Sequence, residues 1–139
     1  MSTREPAVQL GEQLPELRRT ISRVSLFLFG VAYWSSHRIH WDSEFSREAG
    51  FRDSLVTANL LSALNAELVL AWAAPGAQLR RLEERNVDSA VAGDTLVATG
   101  HVQSIEPEGD GRLVTCALEM RTAKGSVVVR GEARVFLPG

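Results

Sequence analysis

Residues 54–72 read SLVTANLLSALNAELVLAW, and this long apolar stretch decides the fold. Asp53 or Ser54 can cap the start of a helix there, and Pro75 with Gly76 can end it. The apolar side chains of the stretch are Leu55, Val56, Leu60, Leu61, Leu64, Leu68, Val69 and Trp72. They occupy all sides of a helix and leave only a narrow polar stripe, whereas a surface helix has a polar face. The pattern therefore predicts a helix in the middle of the fold, covered by other elements.

The residues after Gly76 have the composition of strands and turns. Three segments, which begin at Leu96, Arg112 and Ser126, carry Val, Thr and Leu at alternating positions, as is typical of β-strands. The connections EPEGDG and TAKG between them are strong turn signals, so the three segments predict an antiparallel meander. The segment LRRLEERNV from Leu79 is ambiguous, because its charges suit a helix face but its position before the GDTL turn favours a strand.

The part of the chain before the long helix contains a polar arm and a second apolar run. We expect residues 1–16 to form a flexible N-terminal arm and residues 17–139 to form a single domain. Periodicity alone does not distinguish a buried helix from a strand in residues 21–34, ISRVSLFLFGVAYW. Ser22 can cap a helix that begins at Arg23, which favours the helix. A long helix followed by antiparallel strands predicts an α+β fold, in which a curled antiparallel sheet wraps around the central helix.

Length, charge and cysteine content exclude several classes of protein. The 139 residues, 45% of them apolar, suit one compact domain. Because 15 Lys and Arg stand against 17 Asp and Glu, with no basic block, we expect no nucleic-acid partner. Cys116 is the only cysteine and forms no internal disulfide. The first residues lack the basic start and the apolar stretch that are typical of a secretory signal, and the apolar stretches of the sequence are shorter than the roughly 20 residues of a membrane span. We therefore expect a cytoplasmic protein without a membrane partner.

Residues 33–42, YWSSHRIHWD, concentrate the scarcest polar side chains of the sequence. They include His37 and His40, although the whole chain has only 3 histidines. Such a cluster is either a functional site or an unusually polar part of the core. A metal site built from the two histidines with Asp42 or Glu44 lacks a third ligand at a recognisable spacing, so we expect no metal.

The order of several motifs carries a resemblance to a known family. HRIHWD at residues 37–42 is followed by SEFSREAGF, by the apolar helix, and then by WAAPGAQLRRLEERNV and VAGDTLVATGHV. From about Thr20 onward the chain resembles the MaoC-like branch of the hot-dog fold, which comprises hydratases and dehydratases of acyl thioesters. It is most similar to the subgroup that reads His-Arg-Ile-His-aromatic-Asp at this point. Residues 17–139 would then be a single MaoC-like hot-dog domain.

The resemblance implies how the domain assembles and what it binds. Two hot-dog units pair through their sheet edges, in a homodimer or in a heterodimer with a paralogous hot-dog chain. The active site lies at the dimer interface and faces a tunnel for an acyl thioester. Coenzyme A or acyl carrier protein is part of the substrate, and no separate cofactor is implied.

The resemblance also implies a catalytic histidine. Addition of water to a 2-enoyl thioester requires a base, an acid, and a hydrogen bond to the thioester oxygen. In the family, an aspartate and a histidine five residues later hold the water; His40 matches the histidine, but Ser35 replaces the aspartate. A serine hydroxyl orients water but is no base near neutral pH, so base catalysis falls on His40, and the ordinary imidazole pKa of about 6.5 suits it.

The start of the long helix is the second part of the implied site. Where relatives read His-Gly, this chain reads Thr57-Ala58-Asn59. We expect the backbone N–H of Ala58, in the first turn of the helix, to donate to the thioester oxyanion with the help of the helix dipole. Thr57 and Asn59 are further pocket candidates, although Asn59 can equally bind the backbone of a neighbouring segment.

Other polar and aromatic residues of the motif have a structural and a functional interpretation. We expect Trp34 to form a wall of the pocket or part of the core, and His37 to order the loop or to form a wall of the pocket. Arg38 is a candidate contact for the phosphates or pantetheine of the substrate, unless it is solvated or paired with an acid. Asp42 is predicted to cap the SEFSREAG segment. Glu67 resembles the helical carboxylate of other hot-dog dehydratases but lies several turns from the helix start, which favours a buried ion pair or a dimer contact.

Three functions are compatible with this pattern. The first is a hydratase or dehydratase that adds or removes water at the 2-enoyl/3-hydroxyacyl bond of an acyl thioester. The second is a catalytically degenerate hot-dog subunit that supports an active paralogous partner, which the missing aspartate favours. The third is an acyl-CoA thioesterase, and the absence of a carboxylate near His40 argues against it. We prefer the first.

Overall fold

A five-stranded antiparallel sheet is the largest element of the protein, of which the computed structural model describes residues 7–139. The strands are β1 (Leu17–Thr20), β2 (Gln78–Asn86), β3 (Thr95–Glu108), β4 (Gly111–Thr122) and β5 (Val127–Pro138). Their order in the sheet is β1-β3-β4-β5-β2, so β1 and β2 form its edges. The predicted antiparallel meander is confirmed as β3, β4 and β5, and the ambiguous segment from Leu79 lies in strand β2.

The long apolar helix is α3 (Ala58–Trp72), and it packs against the sheet as predicted. Its start was wrongly predicted, because the helix begins at Ala58 rather than Ser54. Thr57 is the N-cap instead of Asp53 or Ser54, and its hydroxyl accepts a hydrogen bond of 3.1 Å from the Leu60 amide.

Residues 54–56 are extended because they pair with another segment of the chain. The Val56 amide donates to the carbonyl of Ala90 and the Ala92 amide donates to that of Ser54, both at 2.8 Å. The branched side chain of Val56 also fits an extended backbone better than a first helical turn. The helix therefore starts only where this pairing ends.

The hydrophobic core lies between α3 and the sheet. Alternate residues of the long strands are buried against the helix, as period-two strands require. They include Leu96, Ala98 and Val102 of β3, Val114, Cys116, Leu118 and Met120 of β4, and Val129, Ala133, Val135 and Leu137 of β5. Burial raises the pKa of the Cys116 thiol to about 12, so this side chain is an uncharged core residue at neutral pH.

The segment before β1 follows the edge of the sheet. The Gly11 amide donates to the carbonyl of Val102, and the Leu14 amide donates to that of Gly100, both at 2.9 Å. Leu14 is buried in the core. This part of the predicted arm, residues 1–16, is therefore attached to β3, while its first six residues lie outside the described part of the chain.

The second apolar run forms α1 (Arg23–Ala32), which confirms the predicted helix and its cap. The Ser22 hydroxyl accepts a hydrogen bond of 3.0 Å from the Ser25 amide. The helix lies at the surface: its buried residues are Leu26 and Gly30, and its exposed apolar side chains are Val24, Phe27, Leu28 and Val31. Within residues 7–139, no helix has the length and apolar character that crossing a membrane requires.

Candidate active site

The turn after α1 brings Ser35 back beside the helix. Trp34 adopts a left-handed backbone with φ of 57°, which is unusual for a residue other than glycine. The Ser35 amide donates to the carbonyl of Gly30 at 2.8 Å and the Trp34 amide to that of Val31 at 3.3 Å, the two bonds of a Schellman helix end. A Cβ atom on Gly30 would lie 3.1 Å from the Ser35 carbonyl oxygen, so the close approach favours glycine.

A short 3₁₀ helix, Arg38–His40, carries the histidine motif. His37 caps it, since its Nδ1 accepts a hydrogen bond of 3.1 Å from the Ile39 amide. The Trp41 indole donates to the carbonyl of Ser36 at 3.0 Å and closes the loop. His37 thus has the loop-ordering role that was one of its two expected roles.

His40 is attached to the segment that leads into α3. Its Nδ1 lies 2.8 Å from the carbonyl oxygen of Leu55, and the Leu55 amide donates to the carbonyl of Ile39 at 2.9 Å. Because a carbonyl oxygen only accepts, Nδ1 carries the proton of the neutral ring. The half-buried imidazole therefore has Nε2 available as a proton acceptor for an external group.

Two cavities border His40. The first, of about 230 Å³, lies under the end of α1 and has mostly apolar walls. These walls include Phe27, Val31, Trp34, Ser35 and Trp41. The second, of about 460 Å³, lies at the start of α3 and is lined by Phe51, Leu55, Ala58, Asn86 and Ala90 among others. His40 lines both cavities, so this residue lies between an apolar cavity and the N-terminus of the central helix.

The structure brings together four of the predicted site residues. Trp34, Ser35 and His40 line the first cavity. Ala58 lines the second cavity with His40, and the amides of a first helical turn have no acceptor within their own helix. The predicted base and the predicted oxyanion donor therefore border the same space.

Three other predicted pocket residues do not line either cavity. Thr57 is buried and caps α3, whereas Asn59 is exposed on that helix. His37 caps the 3₁₀ helix. These side chains shape the segments that carry the site but do not form its walls.

Arg38 is engaged in a local ion pair and lines neither cavity. It donates two hydrogen bonds to the carboxylate of Asp42, of 3.1 Å from Nε and 2.7 Å from Nη2, and its guanidinium lies 4.5 Å from the centre of the Phe45 ring. The hydrogen bond from Arg38 and one from the Phe45 amide hold the pKa of Asp42 below its ordinary value. Asp42 caps α2 (Ser43–Glu48), as predicted.

Glu67 forms an ion pair, but the pair is not buried. Its carboxylate lies 2.8 Å from the guanidinium of Arg19 on β1, and each side chain exposes 47% of its surface. The prediction of a buried ion pair was therefore wrong, because Glu67 lies on the exposed side of α3, where it reaches Arg19 of the edge strand β1.

Asp53 has a structural role that the sequence did not reveal. Its carboxylate accepts two hydrogen bonds from Arg23 of α1, at 3.0 and 2.5 Å, and lies 3.3 Å from Arg47 of α2. The hydrogen bond from Arg23 is the main cause that lowers the pKa of Asp53 to about 2. In the sequence, Asp53 was predicted only as a possible helix cap. In the structure its carboxylate joins α1 and α2, the helices on both sides of the site.

The sequence profile of one family matches most of the region just described. The family is Htd2, hydroxyacyl-thioester dehydratase type 2, and the match covers residues 2–92, which include α1, α2 and α3 as well as His40 and Ala58. No curated protein matches the sequence significantly.

Several solved structures share the fold over nearly the whole chain. A chain of the ChsH1-ChsH2 complex from Mycobacterium tuberculosis has a TM-score of 0.84 and 21% identity, over 94% of this chain and 99% of that chain. The (R)-hydratase from A. caviae involved in PHA biosynthesis has a TM-score of 0.85 and 21% identity, over 95% and 98%. The MaoC-like dehydratase from Rhodospirillum rubrum has a TM-score of 0.82 and 21% identity, over 94% and 93%. These similarities confirm the predicted single hot-dog fold.

Proposed function

The chain belongs to the type 2 hydroxyacyl-thioester dehydratase family, and on this premise we propose that it interconverts 2-enoyl and 3-hydroxyacyl thioesters with His40 as the proton-transfer residue. One observation carries the proposal. His40 binds a backbone carbonyl through Nδ1 and lies between an apolar cavity and the start of α3. This is the arrangement that an acid/base group beside an oxyanion donor requires.

In the hydration direction, His40 performs two proton transfers. Its Nε2 takes a proton from water while the water oxygen forms a bond to C3 of the enoyl group, and the electrons of the double bond move toward the thioester oxygen. The Ala58 amide donates a hydrogen bond to that oxyanion. His40 then gives its proton to C2, the thioester carbonyl re-forms, and the imidazole is neutral again. Dehydration is the same sequence in reverse.

Ser35 positions the water in this proposal. It lines the first cavity together with His40, and a hydroxyl both donates and accepts hydrogen bonds. A serine does not act as a base near neutral pH. The imidazole of His40 therefore serves as both the base and the acid.

The walls of the cavities suggest how the thioester lies. The first cavity, with Phe27, Val31 and Trp34, suits the hydrocarbon part of the acyl group. The second cavity suits the thioester carbonyl, since Ala58 lines it. The reacting C2 and C3 atoms would then lie next to His40, which is common to both.

A third, more polar cavity suits the distant end of the substrate. It has a volume of about 330 Å³, shares Phe51 with the second cavity, and is lined by Arg52 and Lys124. Their positive charges fit the phosphate of pantetheine or coenzyme A. Lys124 is better placed for this contact than Arg38, which is bound to Asp42, and than Arg52, whose guanidinium is paired with Asp94 in the wall of the same cavity.

The proposal is tested by incubating the purified chain with 2-enoyl-CoA substrates of increasing acyl length. We expect the conjugated enoyl absorbance to fall, with formation of 3-hydroxyacyl-CoA, and we expect His40→Ala to abolish the reaction while the far-UV circular dichroism is unchanged. Release of free thiol from a saturated acyl-CoA would instead indicate a thioesterase.

A supporting subunit without its own activity is the second candidate. Ser35 at the position of the family's aspartate favours it, as does the structural neighbour ChsH1-ChsH2, which is a complex of two chains. In that case the purified chain is inert alone and gains activity when it is mixed with a paralogous hot-dog chain. Activity of the chain alone excludes this candidate.

A further inference from the structure

A further cavity lies at the end of α3, away from His40. Its volume is about 830 Å³, so it is larger than either cavity that borders the histidine. It has no lining residue in common with those two cavities, because it forms where α3 ends, whereas the candidate active site forms where α3 begins. A helix of 15 residues is roughly 22 Å long, so the two sites are separate.

This cavity is lined by three parts of the chain. They are the segment before β1, the end of α3 with the turn that follows it, and the neighbouring ends of β4 and β5. The apolar walls include Val8, Trp72, Pro75 and Leu137, and the charged side chains in the wall are Glu12 and Arg112. Apolar walls with a few charged groups are the usual form of a small-molecule site.

Glu12 supplies a negative charge whose hydrogen-bond donors are uncharged. The indole of Trp72 donates to Oε1 and the amide of Gln9 donates to Oε2, both at 3.0 Å. No cationic side chain of residues 7–139 forms an ion pair with this half-buried residue. A carboxylate has about four acceptor positions, so about two remain for donors from a ligand. The wall of the cavity thus orients a carboxylate that can still bind a cation.

Arg112 supplies the opposite charge. It is half-buried, and no carboxylate of residues 7–139 forms an ion pair with its guanidinium. The planar guanidinium has five N–H donors, which suit the two oxygens of a carboxylate. Because Glu12 and Arg112 do not pair with each other, one cavity holds a negative and a positive group that are both open to a ligand.

These features fit a ligand that carries both charges on an apolar body. We propose that the cavity binds a small apolar zwitterion, an amino acid or a short peptide, with its ammonium group on Glu12 and its carboxylate on Arg112. The apolar part of the ligand lies against Trp72 and Leu137. A ligand with only one charge leaves one of the two half-buried groups without a partner and therefore binds more weakly.

Isothermal titration calorimetry of the full chain tests the proposal. The two zwitterions are L-phenylalanine and L-leucyl-L-phenylalanine, and the one that binds more tightly identifies the source of the ligand. Its N-acetyl form lacks the ammonium group, and its C-terminal amide lacks the carboxylate. We expect each blocked form to bind about tenfold or more weakly than the zwitterion, since each loses a charge-assisted hydrogen bond. Absence of binding by both zwitterions, or equal binding of the blocked forms, would overturn the proposal.

Two variants assign the charges. Arg112→Met should bind the zwitterion no better than the amide, and Glu12→Gln should bind it no better than the N-acetyl form. The glutamine keeps an oxygen for the indole of Trp72. Arg85→Met removes an exposed arginine of β2 that does not line the cavity, and this control should bind as the wild type does.

Far-UV circular dichroism verifies that the variants are folded. Wild-type affinity in both folded variants would contradict the assigned contacts, and weaker binding in the control would contradict the location. The comparison of blocked and free ligands on the wild type needs no variant. No enoyl thioester takes part in any of these measurements, so their outcome is independent of the proposed hydration reaction.

Discussion

The Nδ1 of His40 donates a hydrogen bond of 2.8 Å to the carbonyl oxygen of Leu55, three residues before Ala58. The contact has two consequences. It fixes the tautomer in which Nε2 accepts a proton, and it connects the proposed base to the segment that carries the proposed oxyanion donor. The amide of Leu55 returns a bond of 2.9 Å to Ile39, so two hydrogen bonds join the histidine motif to the start of the central helix.

The first prediction separates the structural role of this hydrogen bond from catalysis. The amide nitrogen of an asparagine can occupy the position of the imidazole Nδ1. We therefore expect His40→Asn to keep the free energy of unfolding within about 0.5 kcal/mol of the wild type, and His40→Ala to lower it by about 1 kcal/mol. Urea unfolding of both variants measures the difference. Equal stabilities of the two variants would show that the bond does not connect the segments.

The second prediction concerns the serine at the family's aspartate position. Ser35→Asp supplies a carboxylate beside His40 in the first cavity and should raise the rate of hydration of a 2-enoyl-CoA. Ser36→Asp is the control, because it adds the same charge to an exposed neighbour in the wall of that cavity. Steady-state rates of both variants decide the question. No gain in a folded Ser35→Asp protein, or an equal gain in the control, would contradict the assigned role.

The third prediction uses the left-handed backbone of Trp34. This residue exposes 90% of its surface, and a non-glycine residue at φ of 57° costs about 1 kcal/mol. We expect Trp34→Gly to keep or raise the stability of the fold by up to about 1 kcal/mol, while kcat/KM falls most for long acyl chains because a cavity wall is lost. Thermal unfolding and a series of acyl lengths measure both effects.

Tyr33→Ala is the control for this experiment. Tyr33 is an exposed aromatic residue next to Trp34, but it has an ordinary backbone and is not part of the cavity wall. Its removal should leave the dependence on acyl length unchanged. A destabilised Trp34→Gly protein with an unchanged acyl preference would refute the proposed role of this wall.

The fourth prediction concerns stability in acid. The pKa of Asp53 is lowered from 3.8 to about 2, so its contribution to stability is complete above about pH 4 and is lost as the pH falls toward 2. We expect Asp53→Asn to be less stable than the wild type at neutral pH, by on the order of 1 kcal/mol because Arg23 is largely exposed. The two proteins should converge near pH 2 in urea titrations. Parallel curves across this range would contradict the assignment.

Local signals in the sequence predicted much of the fold. The turns EPEGDG and TAKG located the three strands of the meander, and Ser22 and Asp42 marked the starts of α1 and α2. Each of these features depends on residues close together in sequence. Local signals were therefore sufficient for them.

The errors concern features that depend on distant segments. The helix α3 begins at Ala58 and not at Ser54, because Val56 pairs with Ala90. The residues near Val56 in the sequence do not indicate this pairing. The ion pair of Glu67 with Arg19 is exposed because Glu67 lies on the outward side of α3 and its partner lies on the edge strand β1. Tertiary pairing decided both outcomes.

The candidate site was only partly predictable. The family resemblance indicated His40, Ser35 and Ala58, which the structure places around two adjoining cavities. The walls contributed by residues 86–90 carry no recognisable motif, and they reach the site only because β2 ends there. The role of Asp53 was missed for the same reason, since its partners lie on two different helices.

Chemical rescue of His40→Ala tests the central claim most directly. The rate of hydration of one 2-enoyl-CoA is measured for the wild type and the variant, with and without added imidazole. We predict a loss of about 10²-fold or more in the variant and a concentration-dependent recovery with imidazole, because the added base can take the place of the missing ring. A His40→Ala protein that hydrates the substrate at the wild-type rate without imidazole would contradict the account.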